Sequence, residues 1–289
     1  MKEGMTLNLH GTSIGADLYM PMNPQHSVPA VVMAPGFGGV KEMLIPAYAK
    51  ALASIGIAVL AVDYPNFGES GGEPRQFVDI KAQLATYTLA LDCLQHCECI
   101  DADRLGVWGS SLSGGHALVI AARDRRVKSA MAIIPFIATQ LKMAPGFAKI
   151  TTLDLLSRFV GGKGQTIKIA GRPYEQAAMN TDGAWEWMQK MTADAPDFKN
   201  EVAVKSFLQM ANYRTAKAAK SIRVPLKVLL ATEDSITPAK MVRKALSSVP
   251  GVVIEEYPET HFELFDRYLD ATVNSTVEWF EETLMQQNT

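Results

Sequence analysis

The sequence predicts an α/β fold: a mainly parallel twisted sheet with helices on both faces, and a helical cap segment inserted late in the chain. Three observations carry this expectation. Short apolar runs, Ala30 to Ala34, Ile57 to Val62, Val127 to Pro135 and Pro225 to Ala231, suit strands buried on both faces. Stretches of helical spacing separate them, and strands alternating with helices give a parallel sheet. Glycine-rich turns follow directly on the first of these runs, at Pro35-Gly36-Phe37-Gly38-Gly39, and on a further short apolar strand that ends before Ser111.

The whole chain sets the outer limits. Its 289 residues can fill a substantial core. The 28 lysines and arginines against 30 acidic residues give a net charge of −2 with no basic run, which argues against nucleic acid or an anionic membrane surface as partner. The first residues hold no apolar run of signal-peptide type, and no segment approaches the roughly 20 apolar residues that span a bilayer, so a soluble cytoplasmic protein is expected. Cys93, Cys97 and Cys99 lie close together with His96 among them, but no second Cys/His cluster completes a four-ligand site. They are expected to be thiols at a helix end, with no metal and no cofactor. A small-molecule substrate is the expected partner, and the oligomeric state stays open, with a homodimer as one option.

Taken in order, Thr6 to Leu9 and Ile14 to Met20 read as a hairpin joined through His10-Gly11-Thr12-Ser13, followed by a proline-punctuated loop containing His26. Both histidines read as polar surface residues. Ala30 to Ala34 is the first buried strand. Pro46 to Ile55 has helical spacing, a proline near its start and Gly56 just beyond its end. Ile57 to Val62 is the next strand, and Asp63 opens a polar loop that ends at Gly71-Gly72. Phe77, Ile80, Leu84, Tyr87, Leu91 and Leu94 recur at steps of three and four, so a helix covers one face of the sheet.

Arg104 to Ala122 runs from a short apolar strand through a tight turn into an apolar helix, with Ser111 at the turn. A serine hydroxyl is a weak nucleophile unless it is projected toward a base and toward donors for an oxyanion, and a strand–turn–helix junction does this. Gly109 lets the strand pass close, while Gly114 and Gly115 let the helix pack tightly. Ser110 and Ser113 compete for the role, but only Ser111 has a glycine two residues earlier and a helix directly after it; an ordinary helix cap is the plainer alternative. His116, one turn into that helix, reads as a packed core histidine.

Val127 to Pro135 is the following strand. From Ile137 to Lys205 no strand pattern shows, and a structureless stretch of that length inside a compact domain is unusual, so a mostly helical insertion is expected. It holds the run Gly161-Gly162-Lys163-Gly164, Met143, Met179, Met188, Met191, Trp185 and Trp187. Met and Trp offer adaptable apolar surface, either as a lid over an apolar acyl or ring-bearing substrate or as the segment's own core. Pro225 to Ala231 resumes the sheet and ends at Glu233-Asp234, where an acid opens into the cleft used by α/β sheets. Val252 to Tyr257 is the last strand, His261 follows it, and Phe265, Leu269, Val273, Phe280 and Leu284 mark the apolar face of a terminal helix.

Gly109-Ser110-Ser111-Leu112-Ser113-Gly114, Ser111, Asp234 and His261 in that order, and the glycine loop after the first buried strand together resemble the α/β-hydrolase superfamily, over nearly the entire chain. The dienelactone-hydrolase and prolyl-peptidase-like esterases are the branch most resembled. One departure stands out: Ser113 occupies the second glycine of Gly-x-Ser-x-Gly. The resemblance implies Ser111 as nucleophile, His261 as base and Asp234 as the acid that orients it, Asp234 being favoured over Glu233 by the family's acid-x-x-x-Pro spacing to Pro238. It also implies oxyanion donors at the Phe37 and Leu112 amides. Residues 1–136 and 206–289 would form the core and 137–205 the cap. The expected activity is hydrolysis of an ester, lactone or thioester of a small apolar acyl group through an acyl-enzyme. Acyl transfer, peptidase or C–C hydrolase chemistry on the same triad, and a near-silent ligand receptor, are the rivals.

Overall fold

The computed structural model describes residues 1–138 and 164–285. Strands β1 (Lys2–Leu9) and β2 (Thr12–Tyr19) form an antiparallel hairpin that turns at His10 and Gly11. Then come β3 (Val28–Ala34), α1 (Ile45–Ser54), β4 (Ala58–Val62), α2 (Ile80–Gln95), β5 (Ile100–Ser110), α3 (Leu112–Arg123) and β6 (Val127–Ile133). The last part holds β10 (Leu226–Ala231), α7 (Ala239–Leu246), β11 (Val253–Tyr257) and α8 (Leu269–Phe280). One eight-stranded sheet runs β1-β2-β4-β3-β5-β6-β10-β11, parallel from β4 to β11 and antiparallel at β1 and β2.

Period-two alternation decides which helices cover which face. Val32, Leu60, Val107, Ala130 and Val228 join one buried cluster with Tyr87 of α2, Leu118 of α3 and Val242 of α7. Val31, Val59, Trp108, Met131 and Leu229, each one residue away, join a second cluster with Tyr48 of α1 and Trp279 of α8. The crossover after β3 goes through α1 to β4 on one side, while β5 returns by α2 to the other side of β3. The order in which strands are added therefore reverses between the parallel β3 and β5, and a ligand cleft belongs at the C-terminal ends of those two strands.

One sequence expectation needs correction. Between β6 and β10 the described residues are not mostly helical: β7 (Thr166–Ala170), β8 (Ala177–Met179) and β9 (Val202–Ala203) form a three-stranded sheet ordered β8-β7-β9, beside α4 (Ala184–Met191), α5 (Ser206–Ala211) and α6 (Thr215–Ala219). These strands are too short for a clear pattern; β7 nevertheless alternates, Ile169 being buried while Thr166 and Lys168 face out. Met143, Gly161, Gly162 and Lys163 lie outside the described residues. The terminal helix turns the expected Phe280 inward, with Phe265 before it and Leu284 after it also buried, and adds hydroxyl residues to the same side. Thr272, Ser275, Thr276, Trp279 and Phe280 turn inward, Leu269 and Val273 are only half-buried, and Phe265 precedes the helix in a 3-10 turn. Hydroxyl residues can face inward because they find partners: Tyr48 and Thr272 hydroxyls meet at 2.7 Å, and Thr276 donates to the Thr272 carbonyl. Cys93 lies in α2, and Cys97 and Cys99 in the turn leading to β5. Among the described residues no helix is long and apolar enough to cross a membrane.

Candidate active site

Ser111 sits between the last residue of β5 and the first of α3, at φ 54° and ψ −116°, a conformation that non-glycine residues rarely hold. The surroundings impose it. The Ser111 N–H donates to the Ile133 carbonyl at 2.9 Å, and the Ser111 carbonyl accepts from Gly115 at 3.1 Å and Phe136 at 2.8 Å. The turn can be this tight only because residue 109 lacks a side chain: a Cβ there would fall 2.1 Å from the Ser113 carbonyl oxygen. Of the competing serines, Ser110 also lines the cleft but ends an extended strand, and Ser113 is fully buried with its hydroxyl donating to the Pro35 carbonyl and accepting from Tyr64.

Asp234 and His261 meet at the ends of β10 and β11. His261 Nδ1 lies 2.6 Å from Asp234 Oδ2, both side chains buried. The carboxylate also accepts from the Ile236 amide at 2.7 Å, the Thr237 amide at 2.8 Å and the Thr237 hydroxyl at 2.7 Å. Burial pushes the Asp234 carboxyl up, but the His261 ring and the Thr237 donors outweigh it and leave it below the ordinary carboxylate range. An ionised Asp234 accepts a hydrogen bond from Nδ1–H, which leaves Nε2 as the acceptor of the ring. Glu233 is exposed, so the two neighbouring acids are cleanly separated. Backbone bonds stitch the two loops together, from Thr232 to Tyr257 at 2.8 Å and from Glu233 to Glu259 at 3.0 Å.

Ser111 and His261 line one cleft of about 590 Å³ of atom-free space including its mouth, together with Gly36, Phe37, Trp187 and Phe262. Leu112 is the first residue of α3, so its amide has no acceptor within the helix. Gly36 to Gly39 form a tight turn in which Gly39 N–H donates to the Gly36 carbonyl at 3.2 Å. Gly38 holds φ 67°, and a Cβ there would lie 2.5 Å from Ile169 Cδ1, so the loop backbone presses directly on β7.

The Met- and Trp-bearing segment divides. Trp187 and Met188 of α4, with Met179 of β8, line the cleft, and the Trp187 ring packs on Phe262 at 5.3 Å and Phe265 at 6.3 Å. Trp185 stands apart, with Lys168 and Arg172 each 5.9 Å from its ring.

Two further residues fall where the sequence puts them. Asp63 supports its loop by accepting from the Lys41 amide at 2.8 Å and the Glu69 amide at 3.1 Å. Burial, then repulsion from Glu42, pushes its carboxyl up to about 7. His116 is fully buried, its Nδ1 2.7 Å from the Tyr213 hydroxyl and its Nε2 2.9 Å from Gln83 Oε1, and desolvation lowers it to about 3. Sequence reasoning missed the buried Lys41, whose ammonium pairs with Glu42, Glu69 at 2.8 Å, Asp17 at 3.5 Å and Asp63 at 3.8 Å. The sequence signal was only a lone lysine two residues past the glycine turn.

Residues 29–268 match the family profile described as alpha/beta hydrolase fold. The quorum-quenching protein AidA of Acinetobacter baumannii is 31% identical over 261 residues, covering 86% of this chain and 84% of its own. The thiohydrolase aneE of Aspergillus aculeatus is 26% identical over 275 residues, covering 88% and 83%. A solved structure of DcsB in complex with its substrate analogue superposes with a TM-score of 0.86 over 99% of this chain and all of that one, at 21% identity. Sheet order, the strained turn at Ser111 and the profile match agree, and the chain belongs to the alpha/beta hydrolase fold family.

Proposed function

We propose that this hydrolase cleaves an ester, lactone or thioester of a small apolar acyl group through a covalent acyl-enzyme on Ser111. The observation that carries the reading is the His261–Asp234 contact of 2.6 Å at one wall of the cleft that Ser111 enters from a strained turn. In this scheme His261 Nε2 takes the Ser111 proton as Oγ attacks the carbonyl carbon, and the carbonyl electron pair moves onto oxygen. The Phe37 and Leu112 amides hold that oxyanion. On collapse the leaving alcohol or thiol takes the proton from His261. Water then gives a proton to the same nitrogen as its oxygen attacks the acyl carbon, and the second intermediate collapses by breaking the bond to Ser111 Oγ, which takes the proton back from His261 as the acid leaves. Asp234 keeps the ring oriented and stabilises the imidazolium that forms twice per cycle.

The substrate class follows from the cleft wall. Among the described residues, those lining it are apolar or glycine apart from Ser110, Ser111 and His261, and none is a lysine, arginine, aspartate or glutamate. A neutral acyl group fits such a wall; a carboxylate or ammonium near the scissile bond would be desolvated without a partner. The thiohydrolase name of one relative supports thioesters within this class. The described residues 164–205 act as the cap, with Trp187 and Met188 against the acyl group. A fluorophosphonate should label Ser111 and no other serine. Ser111→Ala should lower turnover of p-nitrophenyl butyrate and of a butyryl thioester by at least about 10³-fold with an unchanged melting temperature. Full activity in that variant, or label on Ser110, would overturn the assignment.

A further inference from the structure

The Ser113 hydroxyl is fully buried at the place where the Gly-x-Ser-x-Gly pattern has a glycine, and the scheme above gives it no task. We propose that Ser113 is a positioning residue that sets the glycine loop after β3 in register with the start of α3, so that the Phe37 and Leu112 amides converge on one point. This rests on the reading of Ser111 as nucleophile and of those amides as oxyanion donors.

The hydrogen-bond directions are fixed by chemistry. A carbonyl only accepts, so Ser113 donates to Pro35, and the Tyr64 hydroxyl must then donate to Ser113. Tyr64 is itself buried, its ring 5.8 Å from His116 and 6.5 Å from Tyr87. Tyr64 thereby holds the Ser113 rotor. Without it, the Ser113 hydroxyl is free to rotate away from the Pro35 carbonyl and release the loop.

Peptide planarity carries the constraint to the donor. The Phe37 N–H belongs to the Gly36–Phe37 peptide, whose carbonyl accepts from Gly39 at 3.2 Å; a trans peptide points N–H and C=O in opposite directions, so this turn fixes where the Phe37 N–H points relative to the loop. The preceding peptide is the one whose carbonyl Ser113 holds. With both planes fixed, the loop cannot rotate about Gly36, whose φ and ψ a glycine would otherwise leave free. The same residue is covalently next to Leu112. One side chain thus links the two donors, which are 75 positions apart in the chain but must agree in space to a fraction of an ångström.

The experiment compares Ser113→Ala and Ser113→Gly with the unaltered enzyme on p-nitrophenyl butyrate. It also compares binding of an apolar trifluoromethyl ketone with binding of the matching secondary alcohol. The ketone is attacked by Ser111 Oγ, the serine proton passes to His261, and the carbonyl pair becomes an oxyanion; the alcohol fills the cleft without reacting. Expected are a kcat about 10- to 100-fold lower with KM within about threefold, ketone affinity reduced by a similar factor, and alcohol affinity unchanged. A kcat within threefold of normal in both variants overturns the proposal. So does equal loss of ketone and alcohol, which would mean that Ser113 merely supports the fold. If neither variant folds, Tyr64→Phe decides: a lower kcat with normal alcohol binding supports the proposal, and normal kcat overturns it. Absence of a fluorophosphonate adduct on Ser111 in the unaltered enzyme would instead overturn the reading of the site, whereas a normal adduct with unaffected variants overturns only the role of Ser113.

Discussion

Single residues divide by what burial does to their charge. Asp234 is buried with four donors and Glu233, one position earlier, is exposed, so their amide variants should part widely. Asp234→Asn should preserve folding and cut ester turnover by up to roughly 10⁴-fold, because an amide no longer favours the Nδ1–H tautomer, while Glu233→Gln should stay within about twofold. Turnover of both at neutral pH checks this. His116 gives a pH signature unrelated to catalysis. Its folded value of about 3 lies below the ordinary 6.5, so the folded state binds the proton less well than the unfolded chain does. The stability it contributes is complete above pH 6.5 and is lost as pH falls from there toward 3. Urea unfolding at pH 7 and pH 4.5 should show a loss of roughly 2–3 kcal/mol from this group, and a shallower loss in His116→Gln. Both residues were legible in the sequence, because adjacent acids at a strand end cannot both face one ring and a histidine within an apolar helix has nowhere polar to go. The Ser113 bond was not legible: its acceptor is a backbone carbonyl 78 residues away, and carbonyls leave no mark in a sequence.

At the scale of elements, regularity decided what could be read. The core strands alternate with long helices, and each apolar run marks its strand to within a few residues. Among the described residues between β6 and β10, β8 and β9 have three and two residues and β7 mixes Thr166 and Lys168 into its run, so none shows the continuous apolar run that marks the five-residue β4. On α8 the apolar residues do mark the inside, Phe280 being buried and Leu269 and Val273 packed half-covered against the same cluster; what they could not show is that Thr272, Ser275 and Thr276 join them by bonding their neighbours. Within α4 the helical period separates two tryptophans two residues apart, one onto Phe262 in the cleft and the other under Lys168 and Arg172. Trp187→Ala should therefore lower turnover of an octanoyl ester at least about tenfold more than that of an acetyl ester. Trp185→Ala should leave the ratio unchanged. A p-nitrophenyl ester series run on both variants distinguishes a cleft wall from a packing role, since a packing role would lower all esters together with the melting temperature.

Across the whole molecule, Lys41 is the junction. Its ammonium is enclosed by carboxylates from the hairpin (Asp17), its own loop (Glu42) and the loop after β4 (Asp63 and Glu69), while Lys2 reaches Asp17 from the first strand at 2.9 Å. Four carboxyls face two ammonium groups, which is why burial and Glu42 can leave Asp63 protonated near neutrality. Removing the central cation strands buried negative charge, so Lys41→Met should cost about 3–5 kcal/mol in urea unfolding at pH 7. The loss should shrink at pH 5, where Asp63 is protonated and no longer needs the ammonium. The bonds between the loops after β10 and β11 have a consequence of another kind. Asp234 and His261 are carried on one stitched unit, whereas the wall supplied by α4 meets Phe262 and Phe265 through ring contacts and Asp266 through the exposed Lys190 pair. Heat should therefore blunt this protein's selectivity before it blunts its reactivity: held a few degrees below melting, it should still turn over acetyl esters while its preference among longer chains flattens.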